Sequence, residues 1–192
     1  MGLGKQAKIL TDAQIKTVLL HIEANRLAER NRVMFLLSVD AGLRAKEISA
    51  VSWDMVTDAT GSLNDALALQ DRASKGRSGG VVYLSRRLSR ALEILHEKTF
   101  DPTGPIIRSS RTRRAMSSNT VVLWFSSLYE ALGFEGCSSH SGRRTAITRW
   151  ARKISSVGGS LRDVQALARH SSLQMTQRYI EVSEDSMKRV VG

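Results

Sequence analysis

Two segments in the last third of the chain carry residue types that suit chemistry on a phosphate. His140 and Arg143 lie three positions apart, and His170 opens a polar stretch that ends at Tyr179. Arginine and histidine hold a phosphate through directed hydrogen bonds, and a tyrosine hydroxyl can attack phosphorus to form a covalent ester. The pattern therefore predicts phosphoryl transfer with a tyrosine nucleophile.

Elimination favours Tyr179 as that nucleophile. Of the three tyrosines, Tyr83 alternates within an apolar strand and Tyr129 lies in an amphipathic helix, so both are interpreted as packing groups. A free phenol has a pKa of about 10, so only about one molecule in a thousand is ionised at neutral pH. A nucleophilic tyrosine therefore needs cations around it, which favour the anion and stabilise the charge that develops at phosphorus.

A further candidate lies far upstream, in the run Ala-Gly-Leu-Arg that ends at Arg44. Gly42 can adopt a positive φ and turn the chain sharply, which places Arg44 at the start of a helix, where it can clamp an anion. Glu47 follows one turn later and can hold the guanidinium in place. Most arginines at such a position are simply solvated, so this pattern decides nothing by itself.

The elements that must position these residues are mainly helical. Apolar residues at helical spacing predict helices that begin at the Thr11 cap and continue, in chain order, over 31–39, through Ile48, and over 88–95, 121–132, 139–153, 161–169 and 173–180. Residues 53–84 break this period, because alternating apolar positions flank a basic, glycine-rich turn. We therefore expect a mainly α domain with a small antiparallel β-sheet (α+β), in which a β-hairpin belongs to a three-stranded insert.

The tip of the predicted hairpin carries Lys75 next to a glycine. A lysine on such a loop can extend towards a bound substrate and give a proton to a leaving oxygen. Hairpin tips also commonly carry lysines that only keep the chain soluble. Arg72 and Arg77 beside it are alternative candidates, with phosphate contact as their expected role.

The overall charge indicates a polyanionic partner. Lys and Arg number 29 against 18 Asp and Glu, a formal net charge of +11, which attracts nucleic acid through counterion release. No apolar run approaches the roughly 20 residues of a membrane span, and the first ten residues lack the apolar segment of a signal peptide. Cys137 is the only cysteine, which excludes an intrachain disulfide. We expect a cytoplasmic protein that acts on nucleic acid and not at a membrane.

Together, these motifs resemble the catalytic domain of tyrosine recombinases of the lambda-integrase class, the phage integrase family. The resemblance covers residues 10–189 and implies the catalytic-domain fold of that family. It also implies a site-specific DNA recombinase, bacterial or phage-encoded and typical of mobile genetic elements. Six positions match the functional residues of the family in order, with Glu47 in support: Arg44, Lys75, His140, Arg143, His170 and Tyr179.

The resemblance implies a mechanism as well. Tyr179 would attack a backbone phosphate, giving a 3′-phosphotyrosyl bond and a free 5′-hydroxyl, while the two arginines and His170 stabilise the non-bridging oxygens. Lys75 would protonate the leaving oxygen, and His140 would act as acid/base or as phosphate ligand. Neither ATP nor a metal ion is implied as a cofactor. The implied partner is double-stranded DNA. The resemblance implies a homotetramer on paired DNA sites and a monomer in the absence of DNA.

Three residues depart from the usual motifs of the family. Gly142 and Arg144 stand where leucine and histidine are usual, and Arg169 stands where glycine is usual. We expect Gly142 to loosen the start of its helix, and Arg169 either to reshape its turn or to add a backbone contact to DNA. These departures keep open a catalytically impaired DNA-binding homologue, and the shared chemistry keeps open a type IB topoisomerase-like strand transferase.

The expected organisation is a lead-in over 1–10, a catalytic domain over 11–182 and a tail over 183–192. Members of the family usually carry another helical domain before the catalytic one, whereas here only the lead-in precedes the first helix. The sequence therefore indicates either an excised catalytic domain or a minimal recombinase.

Overall fold

The computed structural model describes residues 6–70 and 79–180, and within them the protein is mainly helical. The helices are α1 (Asp12–Glu23), α2 (Ala28–Val39), α3 (Ala45–Ala50), α4 (Arg86–Glu97), α5 (Ser118–Ala131), α6 (Ser141–Lys153), α7 (Leu161–Ala168) and α8 (Leu173–Gln177). Short 3₁₀ helices occupy Trp53–Met55 and Ile154–Val157. Strands β1 (Ala66–Leu69) and β2 (Gly80–Tyr83) pair antiparallel. The predicted class, mainly α with a small antiparallel sheet, is confirmed.

Local sequence signals decide where the helices begin. Thr11 starts α1 with a reciprocal cap, in which its hydroxyl accepts from the backbone N–H of Gln14 at 3.2 Å and the Gln14 side chain accepts from the Thr11 N–H at 2.9 Å. Ser85 and Ser117 cap α4 and α5 through their hydroxyls in the same position. The start predicted at Thr11 is therefore confirmed.

The sheet is smaller than the sequence predicts. Among the described residues it contains two strands, with Leu67 opposite Val82 and both side chains buried. The expected third strand is reduced to an isolated bridge between Thr57 and Leu63. The Asp58 carboxylate accepts from nearby backbone N–H groups, at 2.8 and 3.0 Å. These local hydrogen bonds close a turn and compete with the backbone hydrogen bonds that would pair a longer strand.

Tyr83 does not pack in the core, so the interpretation of this residue as a packing group is wrong. Its relative exposure is 68%, whereas Val82 beside it is 5% exposed. Side chains alternate between the two faces of a strand, and only one face of this hairpin is buried. The apolar run around Tyr83 therefore belongs to a half-exposed strand.

The chain divides into two compact units, Met1–Ala146 and Ile147–Gly192. In the first unit, α2 is buried along most of its length and forms the centre of the core, with apolar residues of α1, α3, α4 and α5 in the same cluster. In the second unit, Ile147, Val164 and Ala168 form a small core that Trp150 and Leu161 partly cover. Among the described residues, none of the helices is both long enough and apolar enough to cross a membrane.

Candidate functional site

In the first unit, Arg44 stands at the sharp turn between α2 and α3. Gly42 has a φ of 64°, the left-handed conformation that the sequence predicts for it. The Glu47 carboxylate accepts from the Arg44 backbone N–H at 2.8 Å and from its Nη1 at 2.9 Å. Because the Glu47 side chain is fully buried while that of Arg44 is 27% exposed, the carboxylate fixes a guanidinium that still reaches the surface. The predicted support of Arg44 by Glu47 is therefore present.

Arg143 reaches the same turn from a distant part of the sequence. Its Nη1 donates to the Gly42 carbonyl oxygen at 2.5 Å, a contact between residues 101 positions apart. Arg143 is only 3% exposed, and a buried guanidinium requires hydrogen-bond acceptors to offset the loss of water. The carbonyl of Gly42, two residues before Arg44, supplies one. The Gly42 turn thus receives two arginines, a concentration of charge suited to an anion.

Gly142 tightens the start of α6 instead of loosening it, so that expectation is wrong. A Cβ at this position would lie 2.2 Å from Ser38 Oγ, 2.8 Å from Ser38 Cβ and 3.1 Å from the Ser38 backbone carbon. These distances are far below ordinary contact, so α6 approaches α2 closely only because residue 142 has no side chain. The close approach carries Arg143, the next residue, towards the turn.

His140 occupies a different environment from Arg143. Helix α6 begins at Ser141, two residues later than predicted, and His140 lies in the turn before it. Its carbonyl oxygen accepts from the Arg144 N–H at 2.9 Å, and its own N–H donates to Ser138 Oγ at 3.3 Å. The backbone of His140 is therefore held while its side chain is exposed to solvent.

Lys75 lies outside the described residues, as do Arg72 and Arg77. The two strands that flank this segment are described, and they form the antiparallel pair that the sequence predicts. The role of Lys75 therefore stays a prediction from the sequence.

In the second unit, His170 and Tyr179 stack on each other. Their ring centroids are 5.3 Å apart and the planes are inclined by 28°. The Tyr179 ring packs on the small core of this unit, and its carbonyl oxygen accepts from Thr148 Oγ1 at 3.3 Å. A tyrosine held in this way has a fixed ring beside an imidazole.

Thr176 fixes the imidazole of His170. Its hydroxyl lies 2.9 Å from His170 Nδ1, and both residues are buried. The backbone of His170 is held as well, because its N–H donates to the Gln165 carbonyl and its carbonyl accepts from Gln165 Nε2, each at 3.1 Å. A hydrogen bond to one ring nitrogen sets the tautomer and ring orientation, and so determines what the other nitrogen can do. Motif spacing alone gives Thr176 no such role.

The three tyrosine side chains lie in different environments. Tyr129 is 1% exposed, and burial raises the pKa of its hydroxyl well above the usual value, which disfavours the phenolate. Tyr83 is exposed on strand β2. Of the three, Tyr179 is the one whose ring stacks on a histidine.

The backbone conformation of Arg169 is one that favours glycine, the residue usual at this position. It ends α7 in the left-handed region, with φ 51° and ψ 47°, a conformation that glycine adopts readily and other residues adopt at a cost of about 1–2 kcal/mol. The expected reshaping of this turn does not occur, because the arginine adopts the backbone conformation of a glycine cap. The turn leads directly to His170, which is buried.

Comparison with known proteins identifies relatives of the chain. Residues 8–186 match the model of the Phage integrase family. The chain is 28% identical over 163 residues to "Tyrosine recombinase XerC" of Pelobacter propionicus, across 84% of this chain and 50% of that protein. The chain therefore spans about half the length of this curated relative.

Solved structures share the fold. The Tn1549 transposon integrase in complex with a circular intermediate DNA superposes with a TM-score of 0.75 at 15% identity, over 98% of this chain and 66% of that one. The XerA recombinase gives a TM-score of 0.73 at 16% identity, over 99% and 64%. A lambda integrase dimer bound to a core site gives 0.71 at 20% identity, over 96% and 53%.

Proposed function

Because this chain belongs to the phage integrase family, we propose that it is the catalytic domain of a site-specific DNA recombinase. It breaks and rejoins DNA through a 3′-phosphotyrosyl intermediate. The observation that carries the proposal is the stacked pair of Tyr179 and His170, with the imidazole fixed by Thr176. The substrate is double-stranded DNA, a choice supported by the Tn1549 transposon integrase structure, which is a complex with a circular intermediate DNA.

In the proposed reaction, the Tyr179 hydroxyl oxygen attacks phosphorus as the bond from phosphorus to the 5′-oxygen breaks. The leaving 5′-oxygen takes a proton from Lys75, and His140 serves as acid/base or as phosphate ligand. The 3′-phosphotyrosyl bond keeps the energy of the phosphoester, so a 5′-hydroxyl can reverse the step and rejoin the strand without ATP. One P–O bond forms as another breaks, and the proton of the Tyr179 hydroxyl passes to His140 where that residue acts as the base, or otherwise to solvent.

The negative charge that develops on the non-bridging oxygens requires cations already in place. Arg44 and Arg143 serve this role, together with His170. The Gly42 carbonyl and the Glu47 carboxylate hold the two guanidinium groups, so little reorganisation is needed when the phosphate binds. We propose a homotetramer on paired sites as the recombining form and a monomer in the absence of DNA.

Trapping a covalent adduct tests the proposal. A pool of nicked duplexes of randomised sequence loses the short strand after cleavage, so a phosphotyrosyl adduct accumulates and shifts the protein on a denaturing gel. Tyr179→Phe should abolish the adduct with nearly unchanged DNA affinity, because only the hydroxyl is removed. Tyr83→Phe and Tyr129→Phe are matched controls that should still form it. An adduct that persists in Tyr179→Phe would refute the assignment of the nucleophile.

The adduct assay separates one alternative, and assays of relaxation and of recombination separate the other. A catalytically impaired homologue would bind the duplex pool and give no adduct with the unmodified chain. A type IB topoisomerase-like enzyme would relax supercoiled DNA as a monomer and leave paired sites unrecombined. Recombination of two sites isolated from the trapped pool supports the recombinase.

A further inference from the structure

Residues 108–114, between α4 and α5, carry an unusual density of charge. The sequence Arg-Ser-Ser-Arg-Thr-Arg-Arg contains four arginines and no acidic residue. We call this segment the arginine loop. None of these arginines belongs to the six positions that match the family motif.

The arginine loop has a defined shape. The Ser109 N–H donates to the Arg114 carbonyl at 2.8 Å, the Arg113 N–H donates to the Ser109 carbonyl at 3.0 Å, and Arg108 and Ala115 form an antiparallel bridge at the base. Arg113 adopts a left-handed conformation with a φ of 60°, which closes the turn. A loop closed by its own backbone bonds loses little entropy when it binds a partner.

Arg108 has a different role from the other three arginines. Its guanidinium donates to the Pro105 carbonyl at 3.0 Å and to that of Thr103, and its own carbonyl accepts from Arg30 Nη1 at 2.9 Å. Arg108 therefore fastens the base of the loop to the body of the first unit. The remaining arginines, Arg111, Arg113 and Arg114, are exposed.

The absence of ion pairs distinguishes these three arginines from some other surface cations of the first unit. Arg32, Arg90 and Lys98 each form an ion pair with a glutamate on the surface of the first unit. Across residues 6–70 and 79–180, Arg111, Arg113 and Arg114 form no ion pair with a carboxylate. Three neighbouring like charges repel one another, and an arrangement of this kind is stabilised when a polyanion binds.

We propose that Arg111, Arg113 and Arg114 form a contact surface for the phosphate backbone of duplex DNA, additional to the residues that act on the reacting phosphate. The inference rests on the proposed function, since it takes DNA as the partner. The planar guanidinium binds phosphate oxygens in a bidentate manner. Contacts to phosphates position a protein on the duplex and carry no sequence information, so this surface strengthens binding to any DNA.

The size of the effect follows from counterion release. Each phosphate contact adds about 0.9 to the slope of log K against log salt concentration, so loss of three contacts flattens the slope by about 2.7 units. Between about 50 and 200 mM salt, that difference corresponds to roughly 40-fold in affinity. An effect of this size is readily measured by fluorescence anisotropy.

The experiment compares three variants of the full chain on a labelled mixed-sequence duplex over a salt series. In the first, Arg111, Arg113 and Arg114 are replaced by glutamine, and in the second by lysine, which keeps the charge. The third is a control in which the paired cations Arg32, Arg90 and Lys98 are replaced by glutamine, which removes the same net charge.

We expect the glutamine variant of the arginine loop to flatten the slope by two to three units by the counterion estimate of about 0.9 per contact. The lysine variant should keep most of the slope of the unmodified chain, which also shows that the loop tolerates substitution. The control should change the slope much less. Equal flattening in the loop variant and the control, or no flattening in either, would overturn the inference. If the unmodified chain fails to bind DNA, the proposed function itself fails.

Discussion

Gly142→Ala tests whether the close approach of α6 to α2 is what this position requires. The added Cβ would meet Ser38 Oγ at 2.2 Å and Ser38 Cβ at 2.8 Å. The hydroxyl can rotate away, but the Cβ and the backbone of Ser38 belong to the buried helix α2. Relief of the clash therefore requires the two helices to separate by several tenths of an ångström.

Two effects of opposite sign determine the stability of this variant. Overpacking of a tight interface costs about 1–3 kcal/mol, and the higher helix propensity of alanine returns at most about 1 kcal/mol. The return is smaller here because Gly142 lies in the first turn of α6. We expect a net loss of about 1–2 kcal/mol, which lowers the melting temperature by about 2–8 °C in a chain of this size.

Thermal unfolding followed by circular dichroism gives the first measurement, and a double mutant gives the control. Ser38→Gly removes both atoms that lie closer than 3.0 Å to the added Cβ. Measured against the Ser38→Gly single variant, which itself loses about 1 kcal/mol of helix propensity, the double variant should therefore recover most of the stability lost by Gly142→Ala. Ser38→Ala keeps the Cβ and should recover less. A Gly142→Ala protein as stable as the unmodified chain, or an absence of coupling between the two positions, would refute the reasoning.

Three further predictions concern the residues that hold the candidate site. Arg169→Gly should melt at a higher temperature than Arg169→Ala, because both variants lose the side chain and only glycine relieves about 1 kcal/mol of left-handed strain; equal melting temperatures would contradict this. Glu47→Gln should weaken adduct formation and lower the melting temperature, because it removes the buried carboxylate that holds Arg44, while Glu93→Gln, which breaks an exposed pair, should change little. Thr176→Val should slow adduct formation about fivefold, which corresponds to about 1 kcal/mol of hydrogen bonding, whereas Thr176→Ser keeps the hydroxyl and should retain the rate of the unmodified chain.

The local part of the fold could be predicted from sequence because its signals are local. The cap at Thr11 and the turn at Gly42 depend on hydrogen bonds and backbone angles within a few residues. Helix ends were less predictable: α6 begins two residues later than its sequence indicates, since the residues before it form a turn. The expected third strand does not form for a related reason, because hydrogen bonds to Asp58 close a local turn in its place.

The role of glycine at position 142 could not be predicted, because it depends on a residue far away in the chain. Compared with the family motif, Gly142 suggests a missing packing group. In the structure, the space that a side chain would occupy is already filled by Ser38. Only the packing of α6 against α2 reveals this, since no local pattern links the two positions.

The sequence by itself determined which residue types are present and in what order: two arginines, two histidines, a lysine and a tyrosine, with Glu47 one turn after Arg44. Their chemistry follows from their side chains alone. Tertiary structure decided which groups contact these side chains. The Gly42 carbonyl accepts from the Arg143 guanidinium, and the Thr176 hydroxyl contacts the His170 ring that stacks on Tyr179. These contacts arise from helix packing and from the path of the backbone through turns, which bring together groups that spacing along the chain does not connect.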